Sequence, residues 1–126
     1  MAEGQVDIEV AAPPEAVWAI VGDFGAVGQM IPAIESFRLE GDDRVIGMFG
    51  MEIRERLVRR DDADRSITYR IIDGVPVDRH QATVSVRPSG DHSVVTWAVD
   101  VAPDEMLPVM TDTYGNALKV LADKFA

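Results

Sequence analysis

Residues 103–126 read PDEMLPVMTDTYGNALKVLADKFA, and the patterning of this stretch decides the fold. Met106, Met110, Thr113 and Ala117 recur at helical spacing, and Leu107, Tyr114, Leu118, Leu121 and Phe125 form an adjoining apolar row. Asp112, Asn116, Lys119, Asp123 and Lys124 occupy what remains. Such a helix has one wet side and one broad apolar side, which needs a large partner; an antiparallel sheet would supply it. Gly115 costs up to about 1 kcal/mol relative to alanine in a helix interior, which points to close packing or a bend there.

Upstream, the chain supplies that sheet. Val6, Ile8 and Val10 alternate with polar or small neighbours, the period of a strand with one buried face. Pro13-Pro14 ends the strand and opens a helix, with Glu15 in its first turn and Val17, Trp18, Ile20 and Val21 on its buried side. Gly22, Gly25 and Gly28 punctuate a second short helical piece; their spacing is wrong for a phosphate loop and no Lys-Ser/Thr follows. Strands then follow one another. Phe37 and Leu39 alternate with Ser36, Arg38 and Glu40, Gly41-Asp42-Asp43 turns the chain, and Val45 to Phe49 forms a short apolar strand, with Gly47 or Gly50 marking a bulge or tight turn. Met51, Ile53, Glu55 and Leu57 share a face, then Ile67, Tyr69 and Ile71, then His80, Ala82, Val84 and Val86, then Val95, Trp97, Val99 and Val101. The expected order is one strand, two short helices, six strands and one long helix: a single α+β domain over 1–126.

Composition narrows the function. With 12 basic and 22 acidic residues the net charge is -10, which repels nucleic-acid backbones and anionic membranes. There is no cysteine, which removes disulfides and thiolate chemistry. No apolar run reaches the roughly 20 residues of a membrane span, and no signal peptide is visible, so a cytoplasmic monomer or weak homodimer is expected. The only lysines, Lys119 and Lys124, fall on the wet side of the last helix, which disfavours a Schiff base. His80 and His92 are too far apart for a zinc site, and Asp61, Asp62 and Asp64 lack the spacing of a calcium loop, so no metal and no cofactor is expected.

Several segments in this order carry a resemblance. They are Val10-Ala11-Ala12-Pro13-Pro14-Glu15-Ala16-Val17-Trp18, Gly22-Asp23-Phe24-Gly25, Pro32-Ala33-Ile34, Glu55-Arg56-Leu57 leading to Asp61-Asp62, Tyr69-Arg70-Ile71 and Thr96-Trp97. Together they resemble the START-related helix-grip superfamily, and within it the polyketide cyclase/dehydrase-like (SRPBCC) proteins. The resemblance implies a seven-stranded curved antiparallel sheet around a long C-terminal helix, with an apolar cavity for a hydrophobic polyketide-, aromatic- or lipid-like molecule, used by some members for cyclisation, dehydration or aromatisation. Met30-Ile31 departs from the Trp that many relatives place before the proline, and the short stretch from Val45 to Glu55 would abbreviate any gating loop. In the helix-grip order, Leu118 and Leu121 are expected to pack on the sheet, while Met106, Met110, Thr113 and Tyr114 roof the cavity.

Strand alternation nominates the polar groups of that cavity independently. Glu55 is the one charge on its apolar face, so the register that buries its neighbours turns it inward. His80, Tyr69 and Trp97 point the same way, and Glu35 shares the side of Phe37 and Leu39. Symmetric closure of the Asp61–Asp64 turn would set Glu55 opposite Tyr69, and the next hairpin would set His80 opposite Ile71. Burial disfavours the charged form of either group unless it is hydrogen-bonded. Glu55 and His80 are therefore candidates for acid and base, with Tyr69 as a donor, or else Glu55 is solvated, anchors a ligand or pairs with an arginine. The expected ligand-binding set is Glu35, Phe37, Met51, Ile53, Glu55, Tyr69, Ile71, His80, Trp97, Met106, Met110, Thr113 and Tyr114. Three functions stay open: a hydrophobic-ligand binder, a cofactor-independent cyclase or dehydratase, and a protein-interaction module with a collapsed cavity.

Overall fold

The computed structural model describes residues 2–126, apart from the side chains of Val27 and Gln29. Strand β1 (Ala2–Val10) runs into helix α1 (Pro14–Val21) and a 3-10 segment, Phe24–Gln29. Six strands follow: β2 (Ser36–Glu40), β3 (Asp43–Met48), β4 (Met51–Asp61), β5 (Ser66–Asp73), β6 (Arg79–Ser89) and β7 (His92–Ala102). A short 3-10 turn, Asp104–Met106, leads into helix α2 (Leu107–Asp123). The strands form one seven-stranded antiparallel sheet in the order β1-β7-β6-β5-β4-β3-β2, so the meander from β2 to β7 is closed by β1 on its far side. This is the α+β helix-grip arrangement that the resemblance implies, and its sheet is the partner that the apolar face of residues 103–126 needs.

Local chemistry sets the boundaries. Pro13 is extended at φ -66° and ψ 155°, and Pro14 takes the first helical position, where its missing N–H costs nothing. Helix α1 stops at Gly22, where a Cβ would come within 2.6 Å of the Trp18 ring. β3 and β4 are joined by Phe49-Gly50 alone. Both have positive φ, 54° and 73°, the geometry of a two-residue type I′ hairpin. At the end of β5, Gly74 (φ 96°) crosses so near β4 that a Cβ would lie 2.1 Å from the Glu52 carbonyl oxygen.

The β4–β5 register differs from the expected one. The Asp61 carboxylate accepts the Ala63 and Asp64 N–H groups at 3.0 and 3.1 Å, an Asx-type cap that holds the turn open until Asp61 meets Ser66. Val58 is then skipped between Leu57 and Arg59. Leu57, rather than Glu55, faces Tyr69, and Glu55 faces Ile71. The net slip is an even number of residues, so Glu55 stays on the inner face.

Helix α2 lies across β1 and β7. Leu107 and Thr111 pack over Gly4, while Leu118 and Leu121 are fully buried with Val10, Val17, Val86, Val95 and Trp97. Gly115 has nothing within 4 Å of where a Cβ would stand, so close packing does not account for it. The outer face of the β2–β4 edge carries alternating charges: Arg54 and Arg56 both bond Asp43, and Arg54 also reaches Glu40. The arginines hold the Asp43 carboxyl down at about 2. Charges along an exposed edge discourage pairing with another chain.

Candidate functional site

Between the first turns of α2 and the strands a cavity of about 210 Å³ opens. β3 contributes Arg44, Ile46 and Met48, β4 contributes Met51, Ile53 and Glu55, and β5 and β7 contribute Tyr69, Ile71 and Trp97. From above come Met106, Val109, Met110, Thr113 and Tyr114, with Ile31, Phe49, Val75 and Pro76 around the opening. Phe49 and Val109 are 72% and 54% exposed, so the mouth is rimmed by apolar side chains in solvent. A second hollow of about 280 Å³ shares Ile31, Met48, Phe49 and Thr113 with the first and extends under Met30, Pro32 and Asn116.

Alternation along β3 and β4 turns Arg44 and Glu55 inward from directly opposite positions. Arg44 Nε donates to Glu55 Oε1 at 2.7 Å, and a terminal guanidinium nitrogen donates to the Phe24 carbonyl at 3.2 Å. The guanidinium packs against two rings, 4.1 Å from the Phe24 centroid and 4.6 Å from that of Tyr69. Both members of the pair are buried. Desolvating two charges is costly, and the mutual attraction, the carbonyl and the flanking π-faces are what offset it.

A second polar group lies under α2. The Ile71 N–H donates to His80 Nδ1 at 3.0 Å, and His80 Nε2 is 2.9 Å from the Tyr114 hydroxyl. Because a backbone N–H only donates, Nδ1 is the bare nitrogen and neutral His80 carries its proton on Nε2, donating to Tyr114. Burial pushes the His80 pKa down to about 4, which keeps the ring neutral near pH 7. Tyr114 stacks on Trp97 with centroids 4.3 Å apart and planes 6° from parallel, and Trp97 Nε1 donates to the Tyr69 hydroxyl at 3.1 Å. Burial raises the pKa of both phenols, so both keep their protons.

Of the residues nominated from alternation and helical spacing, Met51, Ile53, Glu55, Tyr69, Ile71, Trp97, Met106, Met110, Thr113 and Tyr114 line this cavity. Three do not. Glu35, just before β2, is exposed and Phe37 only half-buried: α2 packs on β1 and β7 at the other end of the sheet, and the 3-10 segment lies beside β2. His80 is buried behind Tyr114 with both ring nitrogens engaged, so it does not meet Glu55 across a shared ligand space. Besides the apolar Ile31, Ile46, Phe49, Val75, Pro76 and Val109, the polar residue that sequence reading missed is Arg44. Its signal was the two-residue Phe49-Gly50 turn: once Met48 faces Met51, Arg44 must face Glu55. Among the described residues no group of three or more His, Asp or Glu gathers as a metal-binding set, and no helix is long and apolar enough to cross a membrane.

Solved structures of the same shape are numerous. The XoxI protein of Bacillus cereus is similar at 29% identity and a TM-score of 0.93, over 99% of this chain and 96% of that one. A START superfamily protein from Mycobacterium smegmatis is similar at 20% identity and a TM-score of 0.81, over 98% and 96%. Norcoclaurine synthase from Thalictrum flavum, solved with dopamine and hydroxybenzaldehyde, is 18% identical with a TM-score of 0.78, over 97% and 84%; at such identities the likeness is one of fold. No curated protein matches the sequence. The family model described as polyketide cyclase / dehydrase and lipid transport matches residues 1–126. With its helix-grip sheet and START-like neighbours, the chain belongs to that family.

Proposed function

We propose that this protein binds a compact hydrophobic small molecule in the cavity between the sheet and the N-terminal half of α2. The observation that carries the reading is the composition of the cavity wall: aliphatic, methionine and aromatic side chains surround one buried Arg44–Glu55 pair. Ligand sites characteristically combine an apolar lining with a few placed polar groups. At about 210 Å³ the space is below the roughly 300–1,000 Å³ of sites for drug-sized ligands. A single-ring or short-chain molecule suits it, with longer ones reaching toward Met30 and Asn116. Met48, Met51, Met106 and Met110 give the wall adaptability. The family description and the aromatic molecules in the norcoclaurine synthase structure accord with such a ligand.

Catalysis by Glu55 and His80 as acid and base draws less support, since Arg44 holds the carboxylate and the imidazole is used on both sides. An interaction module with a collapsed cavity would lack the open space found here.

Native mass spectrometry of the protein purified from its own host should reveal a co-purifying apolar metabolite. Met110→Trp, which places an indole in the cavity, should remove that ligand with little loss of stability. Undiminished uptake by this variant would mean that the site lies elsewhere.

A further inference from the structure

The buried ion pair leaves one carboxylate oxygen without a donor. Arg44 Nε donates to Glu55 Oε1 at 2.7 Å, and among the described residues no hydrogen bond reaches Oε2. Nor is Oε2 sealed off: the one fully enclosed side-chain oxygen without a partner among the described residues is Asp100 Oδ1, which belongs to β7. Glu55 is 8% exposed and borders the cavity, so the open surface of Oε2 faces that space. An ionised carboxylate accepts and never donates. A ligand that fills the cavity strips Oε2 of water, and a carboxylate oxygen left without a donor is costly. The charge balance of the wall narrows what can supply that donor. Arg44 and Glu55 are the only charged side chains among the described residues lining the cavity, and they offset each other. An ammonium or a carboxylate would therefore enter with its own charge uncompensated.

We propose, building on the binding function above, that the natural ligand is a neutral hydroxyl compound, a small phenol or alcohol, whose O–H donates to Glu55 Oε2. An O–H donated to a carboxylate is among the stronger hydrogen bonds a neutral molecule can make. The Arg44 bond to Oε1 fixes which oxygen is left for the ligand, and the Phe24 carbonyl in turn holds the guanidinium. The apolar body of the ligand then lies against Ile53, Ile71, Trp97 and Met110. Hydrocarbons and methyl ethers of the same size fit the space and lack the proton.

The test uses p-cresol and p-xylene, which share a shape and differ in O–H against CH₃. Both are titrated into the intact protein and followed by NMR. The phenol gives up more hydration than the hydrocarbon, so the informative quantity is how their affinity ratio changes on Glu55→Gln. In that variant the amide oxygen can still take the Arg44 Nε–H, which turns an NH₂ donor to where Oε2 stood. The expected change is about tenfold toward p-xylene, arising from weaker p-cresol binding. In the unmodified protein, the carboxyl carbon resonance of Glu55 should move with p-cresol and stay nearly in place with p-xylene; this readout decides alone if the variant fails to fold. An unchanged ratio, or a carboxyl resonance that answers both probes alike, overturns the inference and leaves the binding function standing. If neither probe shifts any cavity resonance in the unmodified protein, both fall.

Discussion

His80 offers the sharpest test of how the interior is wired, because lowering pH attacks it without any change of sequence. Its folded pKa of about 4 lies below the ordinary 6.5, so between those values the unfolded chain binds a proton that the folded one refuses. Stability from this group is therefore complete above about pH 6.5 and is lost as pH falls toward 4. The shift corresponds to about 3 kcal/mol in full, of which about 2 kcal/mol should be gone by about pH 4.5. The structural cause is specific. A second proton would have to go on Nδ1, where it would meet the Ile71 N–H head-on, and burial offers no water to replace that bond.

Carboxylates begin to titrate at the lower end of this range, so the measurement is a difference. Urea unfolding would be followed from about pH 7 to about pH 4.5 for the natural protein and for His80→Asn, whose amide oxygen can still accept from Ile71. With a slope of about 1–3 kcal/mol per molar urea, the natural protein's midpoint should fall by about 1 M more than the variant's. Parallel profiles across the window would refute both the burial argument and the assigned tautomer.

Two further substitutions have worked expectations. Removing one member of the buried pair, by Glu55→Leu or Arg44→Met, should cost about 3–5 kcal/mol in chemical denaturation, because the partner is left charged and unpaired; the double variant should recover most of that loss. Phe49→Asn should raise the unfolding free energy by about 1 kcal/mol, since asparagine tolerates the left-handed backbone of the type I′ turn better than a 72% exposed phenylalanine at φ 54°; an unchanged midpoint would show that the turn stores no strain.

Much of the site was legible one element at a time. Helical spacing nominated Met106, Met110, Thr113 and Tyr114, and strand alternation nominated Met51, Ile53, Glu55, Tyr69, Ile71 and Trp97, all of which border the cavity. Alternation assigns a side chain to a face of a strand, but not to what covers that face. Glu35 and Phe37 have the right parity but lie at the β2 end of the sheet, while α2 packs chiefly on β1 and β7 at the other end. His80 faces inward too, yet Tyr114 stands between it and the open space, a relation that depends on how the helix is laid on the sheet.

The sequence by itself determined the order of elements, the apolar face of α2, the strand faces and the inward direction of Glu55, because each follows from a period of 3.6 or 2 and from turn residues acting over a few positions. The tertiary structure decided the partners. The Asp61 cap and the skipped Val58 set the β4–β5 register, the Phe49-Gly50 turn brought Arg44 against Glu55, and docking of α2 brought the Tyr114 hydroxyl to His80 and its ring onto Trp97. Those outcomes depend on distances across the fold, where a two-residue change in register leaves every face intact and still exchanges every neighbour.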